Sequence, residues 1–331
     1  MTPQPSFLIA SPRSGTTWAQ TALNAHPDIA CIEQRLLGMH ADLVRDAHTT
    51  TPRLRVTLDR YVHALTQHLA PGDPESRTRP KRDELLADIS AAITTRVRDW
   101  SGARVVVDKI TPYEGTADAV VERLNAVFPG ATVSHLVRDG RDVAVSGVMH
   151  WLNKALEGDA RTPAHARRRR WLVEGRADEA MDRLFLPGEL ERWARTWREP
   201  TLALKDAVSA GTVEVFRYEA LLDDPMNQFA HLVAHHGGSA DAHTVAACID
   251  ASSFERMSGG RARGDDRPGA HVRNGVAGDW RRWFTREDGQ RFAVLAGDTL
   301  GFLGYEKADE WWADLPERLG PISATPAGAN A

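Results

Sequence analysis

Phe7-Leu-Ile-Ala-Ser11-Pro-Arg13-Ser14-Gly15-Thr16-Thr17-Trp18 decides the fold. A short apolar run reads as a strand, the Ser-Pro-Arg-Ser-Gly segment as a tight turn, and Thr16 onward as a helix ending before Pro27. A strand, turn and helix start in this order aim backbone N–H groups and hydroxyls at one point, where an anion is bound. A triphosphate-binding loop would carry G-x-x-x-x-G-K-[ST]; here a single glycine is followed by Thr16 and Thr17, with no lysine. The anion expected here is therefore not the β,γ-phosphate of ATP.

Working outward, Ile29–Ile32, Arg104–Val107, Thr132–Val137 and Val213–Tyr218 are further β-rich runs, the last three each preceding a turn and a helix-like segment. Such alternation predicts an α/β fold, P-loop-like and three-layered, with a central parallel sheet flanked by helices. Long helical stretches are expected at about 36–100, broken near Pro71-Gly-Asp-Pro74, and at about 151–208. Residues 1–320 are read as one domain carrying these insertions, and the Ala/Pro/Gly-rich residues 321–331 as a flexible tail. Ser258–Ala270, rich in glycine and charge, is read as a surface loop, either a connector or a lid.

Composition narrows the function. The chain has 331 residues, 42% hydrophobic, and a net charge of −4, which suits a globular core and does not advertise nucleic acid. The basic run Arg167–Arg170 is read as a solvated helix face. No run reaches the roughly 20 apolar residues of a membrane span, and the first strand begins too early for a signal peptide. Cys31 and Cys248 offer neither metal spacing nor a disulfide framework, so a cytoplasmic protein in a reducing compartment is expected.

Two further motifs carry positive charge. In Leu136-Val-Arg138-Asp-Gly-Arg-Asp-Val-Ala-Val-Ser146 a strand ends at Arg138 and a helix begins near Arg141, so Arg138 and the Ser146 hydroxyl can converge on one anion. In Arg273-Asn274-Gly275-Val-Ala-Gly-Asp279-Trp280 a glycine permits close backbone approach, an arginine adds charge, and Asp279-Trp280 reads as a helix entry. Together the three motifs give two anion sites and no metal-ligand set, which suits a nucleotide phosphorylated at two positions.

The ordered set SPRSGTTW, VRDGRDVAVS and RNGVAGDW resembles the cytosolic-type sulfotransferase family, over Phe7 to about Tyr305. The resemblance implies 3′-phosphoadenosine-5′-phosphosulfate (PAPS) as co-substrate, with no metal. By it, Arg13, Ser14, Gly15, Thr16 and Thr17 hold the 5′-phosphosulfate, and Trp18 stacks on adenine. Arg138, Ser146, Arg273, Asn274 and Gly275 hold the 3′-phosphate. Phe216-Arg-Tyr218-Glu is similar to a family segment placing Tyr218 beside the base, and Ser252-Ser-Phe254-Glu-Arg-Met257 to one placing Ser252, Phe254 and Met257 there.

Departures from that family redirect the chemistry. Arg13 and Asn274 stand where lysines are usual, and Thr111 stands where a catalytic histidine follows Lys109. Asn24-Ala-His-Pro-Asp-Ile-Ala-Cys-Ile-Glu33 and Asp108-Lys109-Ile-Thr-Pro112 instead resemble glycosaminoglycan-type sulfotransferases, in which a glutamate at that strand end is the base. Glu33, Lys109 and Arg13 are thus the expected catalytic set, with His150 as the alternative base. The implied reaction is transfer of a sulfuryl group to a hydroxyl, or less favourably an amine, of a small-molecule or sugar acceptor. A P-loop kinase or NTPase, or a nucleotide-binding module without turnover, are the alternatives. The acceptor and the oligomeric state are not readable; Arg281–Gln290 keeps only a basic residue and Thr285 of the family's dimer motif.

Overall fold

In a computed structural model of the chain, five strands run parallel: β1 (Ser6–Ile9), β2 (Ile29–Glu33), β3 (Val105–Ile110), β4 (Val133–Val137) and β5 (Val213–Arg217). Their spatial order is β2-β3-β1-β4-β5, which puts the first strand at the centre. All four residues of β1 are buried, as a strand covered on both faces requires. The structure describes residues 4–38, 57–69, 71–112, 114–154, 163–174, 181–267 and 270–319. The expected tail and parts of both helical insertions lie outside the described residues.

Alternation of side chains along the strands divides the core into two covered faces. Leu8, Cys31, Val107, Leu136 and Phe216 point to the side of helix α1 (Thr16–Asn24) and the Pro225–His235 helix, whose Leu23, Phe229 and Val233 they meet. Phe7, Ile9, Ile110, Val133 and Val213 point the other way, toward Leu86 of the Glu75–Ser101 helix, Leu124 of the Ala117–Val127 helix, and Leu204 of the Glu189–Ser209 helix. A third cluster joins the Gly140–Lys154, Glu189–Ser209 and Arg286–Phe302 helices through Val145, Trp193, Trp197 and Phe292. Three layers follow, and every loop leaving the carboxyl ends of the strands opens on one side, where ligands of open α/β sheets bind.

Several expectations shift. The fourth and fifth strands are shorter by a residue at one end, and Tyr218 opens a helix, Tyr218–Asp223, instead of closing a strand. Residues 34–38 form turns, so the first helical stretch among the described residues starts only at Leu58; the break at Pro71–Pro74 is where expected, between Leu58–Leu69 and Glu75–Ser101. Asp279-Trp280 enters one 3-10 turn, Asp279–Arg282, not a longer helix. The basic run is not wholly solvated: Arg168 is buried, paired to Glu189 at 2.8 Å and bonded to the Leu184 carbonyl. A guanidinium inside the third cluster needs those partners, which the local sequence did not announce.

Candidate active site

The turn after β1 is built as its residue types require. Gly15, with φ of +88°, precedes the first residue of α1, and a Cβ there would lie 2.5 Å from the Tyr218 ring. Arg13 is also left-handed, with φ of +69°. Ser11 and Ser14 hydroxyls bond each other at 2.7 Å and are buried, so they brace the turn from within while Arg13, Thr16 and Thr17 face a cavity. Trp18 makes edge contacts with Tyr218 and Phe229, at 5.4 and 5.2 Å between ring centres. That clamps one aromatic wall of the cavity.

The second and third motifs close the same cavity from the far side. Arg138 leaves the end of β4 buried, its guanidinium 4.5 Å above the Tyr218 ring and donating to the Val276 carbonyl. Ser146 stands on the following helix and accepts from Arg13 Nε at 3.2 Å, across 133 residues of chain. Arg273 is held by Asp266 at 2.9 Å and by Asp279. Gly275, with φ of +67°, lets the chain pass under Phe254, whose ring would be 2.3 Å from a Cβ at that position. Ser252, Phe254, Met257, Asn274 and Gly275 all line the cavity.

Electrostatically the cavity is cationic, lined by Arg13, Arg138 and Arg273. Burial first, then the neighbouring charges of Arg138 and Arg273, pull the Arg13 guanidinium down to about 10. Nε of Arg138 and Nε of Arg273 are buried donors with no protein partner among the described residues. Donors of this kind are costly unless something accepts from them.

Glu33 and Lys109 meet by register. They are paired residues of β2 and β3, and alternation sends both side chains to the α1 face, where Lys109 Nζ donates to Glu33 Oε1 at 2.7 Å. Lys109 is almost wholly buried, while the Glu33 side chain is half exposed, free to meet a partner from solvent. Neither residue is part of the cavity wall that holds Arg13, whose own contacts run to Ser146 and His271, though Lys109 pairs with Leu8 of the strand that leads into the Arg13 turn. His150 lies with its ring edge-on to His271, 5.8 Å away.

Four wall residues were not singled out by sequence: Leu222, Arg263, His271 and Val272. The last three flank the third motif, and the glycine-rich composition just before it was the available signal. Arg261 stitches that loop to its own flank through the carbonyls of Asp265, Val272 and Arg273. Among the described residues no group of three or more His, Cys, Asp or Glu side chains could hold a metal, and no helix is long and apolar enough to cross a membrane.

No curated protein matches the chain. Among solved structures it is similar to mouse sulfotransferase SULT7A1 complexed with PAP, at 15% identity and a TM-score of 0.52, over 91% of this chain and 88% of that one. It is also similar to the sulfotransferase domain of the Synechococcus PCC 7002 olefin synthase, at 20% identity and a TM-score of 0.51, over 92% and 96% of the two chains. These likenesses give the fold. The model of the sulfotransferase family matches residues 5–241, which takes in the phosphate loop, the Glu33–Lys109 pair and the Arg138–Ser146 motif, and the chain therefore belongs to that family.

Proposed function

We propose that this protein moves the sulfuryl group of PAPS to a hydroxyl, or less readily an amine, of a small-molecule or sugar acceptor, releasing a sulfate ester, or a sulfamate from an amine, and adenosine 3′,5′-bisphosphate. The observation that carries the donor is a single cavity combining Arg13, Arg138 and Arg273 with Trp18, Tyr218, Phe254 and Met257: charge for phosphate beside flat apolar walls for a base. The residues fit the group. Unpartnered Arg138 and Arg273 Nε atoms need acceptors, and Gly15 and Gly275 keep open space that a side chain would fill. The mouse neighbour's PAP supports the same ligand class. The helical insertions, 36–100 and 151–208, are the segments proposed to shape the acceptor pocket, and the buried reduced thiols of Cys31 and Cys248 suit a cytoplasmic setting.

For the chemical step, Glu33 would accept the acceptor's proton as its oxygen attacks sulfur, while Lys109 and the loop amides stabilise the charge that grows on the leaving phosphate. Arg13 is proposed to share that task by reaching both phosphate positions from the turn. Kinase or NTPase chemistry is disfavoured because Asp108, the carboxylate in the strand beside β1, spends its oxygens on the backbone of residues 35 and 36. Adenosine 3′,5′-bisphosphate should raise the melting temperature by several degrees and ATP·Mg²⁺ should not; the reverse order would reject the donor. Incubation with radiolabelled PAPS over an acceptor panel should give labelled product. Glu33→Gln should keep the bisphosphate shift and lose at least about 100-fold in turnover; turnover at the native rate would remove Glu33 as base.

A further inference from the structure

The chain bends immediately after Glu33, and the bend is held by a group that the reaction does not use. Gln34 takes a left-handed φ of +53°, a conformation that costs a non-glycine residue about 1 kcal/mol and persists only where its surroundings impose it. Here they do. The Gln34 N–H donates to the Lys109 carbonyl at 3.1 Å. The Asp108 carboxylate then accepts from the N–H groups of Arg35, at 3.1 and 3.2 Å, and Leu36, at 2.8 Å. The Leu36 carbonyl in turn accepts from Ser90 Oγ, on the Glu75–Ser101 helix.

Asp108 is 0% exposed, and its carboxylate is held by the backbone amides of Arg35 and Leu36. Burying a carboxylate is expensive. Burial accordingly pushes its pKa up to about 6 even though the amides and the Arg35 charge pull the other way. A residue that served only to fill the core would be apolar here, like Ile32, its partner in the β2–β3 register. What the carboxylate secures is direction. Asp108 and Lys109 are consecutive in β3, so one strand presents to one side the lysine that receives Glu33 and to the other the anchor that turns the chain away behind it.

We propose that Asp108, seconded by Ser90, is a positioning residue: it fixes the turn after Glu33 so that the Glu33 carboxylate is delivered to Lys109 and to the acceptor. This rests on Glu33 acting as the base. The nucleotide cavity does not include Asp108, Ser90 or residues 34–36, so the clamp acts on turnover and not on donor binding. Loosening a positioned group by a fraction of an ångström is enough to slow a reaction strongly.

The test is kinetic. Asp108→Asn, which keeps the shape and one acceptor oxygen, should lower kcat at least tenfold. The KM for PAPS and the affinity for adenosine 3′,5′-bisphosphate should stay within twofold of native. Should Asp108→Asn not fold, Ser90→Ala removes the second half of the clamp and should lower kcat at least threefold with the same unchanged donor constants. A native kcat in the folded variant, or a loss that appears in KM and bisphosphate affinity instead, overturns the proposal. Glu33→Gln run in parallel separates the two claims. An inactive Glu33→Gln beside a fully active Asp108→Asn removes the clamp alone, whereas an active Glu33→Gln removes the base.

Discussion

Gly15 shows how one residue type can be required twice over. Its φ of +88° is a conformation other residues resist, and its missing Cβ is the space the Tyr218 ring occupies, 2.5 Å away. Tyr218 in turn lies under the Arg138 guanidinium and against Trp18, so any displacement of the ring reaches both the arginine-lined and the aromatic sides of the cavity. Gly15→Ala should therefore cost about 1–3 kcal/mol of stability from strain and overlap. It should also weaken adenosine 3′,5′-bisphosphate by at least about tenfold, equivalent to about 1.4 kcal/mol. Calorimetric titration beside a denaturant midpoint reads both, and native affinity in the variant would mean that Tyr218 does not set the cavity wall.

At the level of elements, the Gly140–Lys154 helix starts where the Glu189–Ser209 helix crosses it. Trp197, 1% exposed, donates its indole N–H to the Arg138 carbonyl at 2.9 Å, and its ring fills the place a Cβ on Gly140 would need. Trp197→Phe keeps an aromatic ring but strands that buried carbonyl, which should cost about 1–3 kcal/mol. The urea midpoint should fall while the slope stays native. What was legible in the sequence and what was not follow the same division. Strand, turn and helix of the first motif, the Arg138 and Arg273 motifs, and the Glu33–Lys109 pairing were readable because each is carried by residues close in sequence or by a family pattern. The bond from Arg13 to Ser146 and the bond from Trp197 to Arg138 were not, because they depend on the β1–β4 neighbourhood and on a helix crossing that no local pattern encodes. Glu219 was quoted only as part of a motif. The fold makes it a brace, accepting from the Asp139 N–H at 2.9 Å and the Tyr305 hydroxyl at 2.8 Å. Asp108 had been read only as the neighbour of Lys109, since a carboxylate in a strand does not announce which backbone it will cap.

Across the whole molecule, stability should depend on pH through histidines locked neutral in the sheet. His135 Nδ1 faces the Ile9 carbonyl at 2.9 Å, so it carries the proton, and Nε2 accepts from the Thr201 hydroxyl at 3.0 Å. His236 bridges the Ser134 and Ser6 hydroxyls, both at 2.9 Å. Burial holds His135 down to about 4; burial, then the neighbouring His235, holds His236 down to about 3. In the unfolded chain both return to about 6.5. Between those limits the unfolded state binds more protons, so stability is full above about pH 6.5 and drains as pH falls toward 4 and then 3. Asp108 opposes this: its carboxyl, raised by burial to about 6 from 3.8, makes the native state bind more protons between those two values. Asp142, Glu219 and Asp288, whose carboxyls burial also raises, act in the same sense as Asp108, so on acidification these acids offset part of the effect of the two bases. The two histidines are expected to prevail, so stability falls between pH 7.5 and pH 5. Urea titrations at both values should show the midpoint falling on acidification, and His236→Gln should flatten about half of the histidine slope. A midpoint that rises as the solution is acidified would mean that the buried carboxyls, and not the histidine pair, govern the acid side of the stability curve.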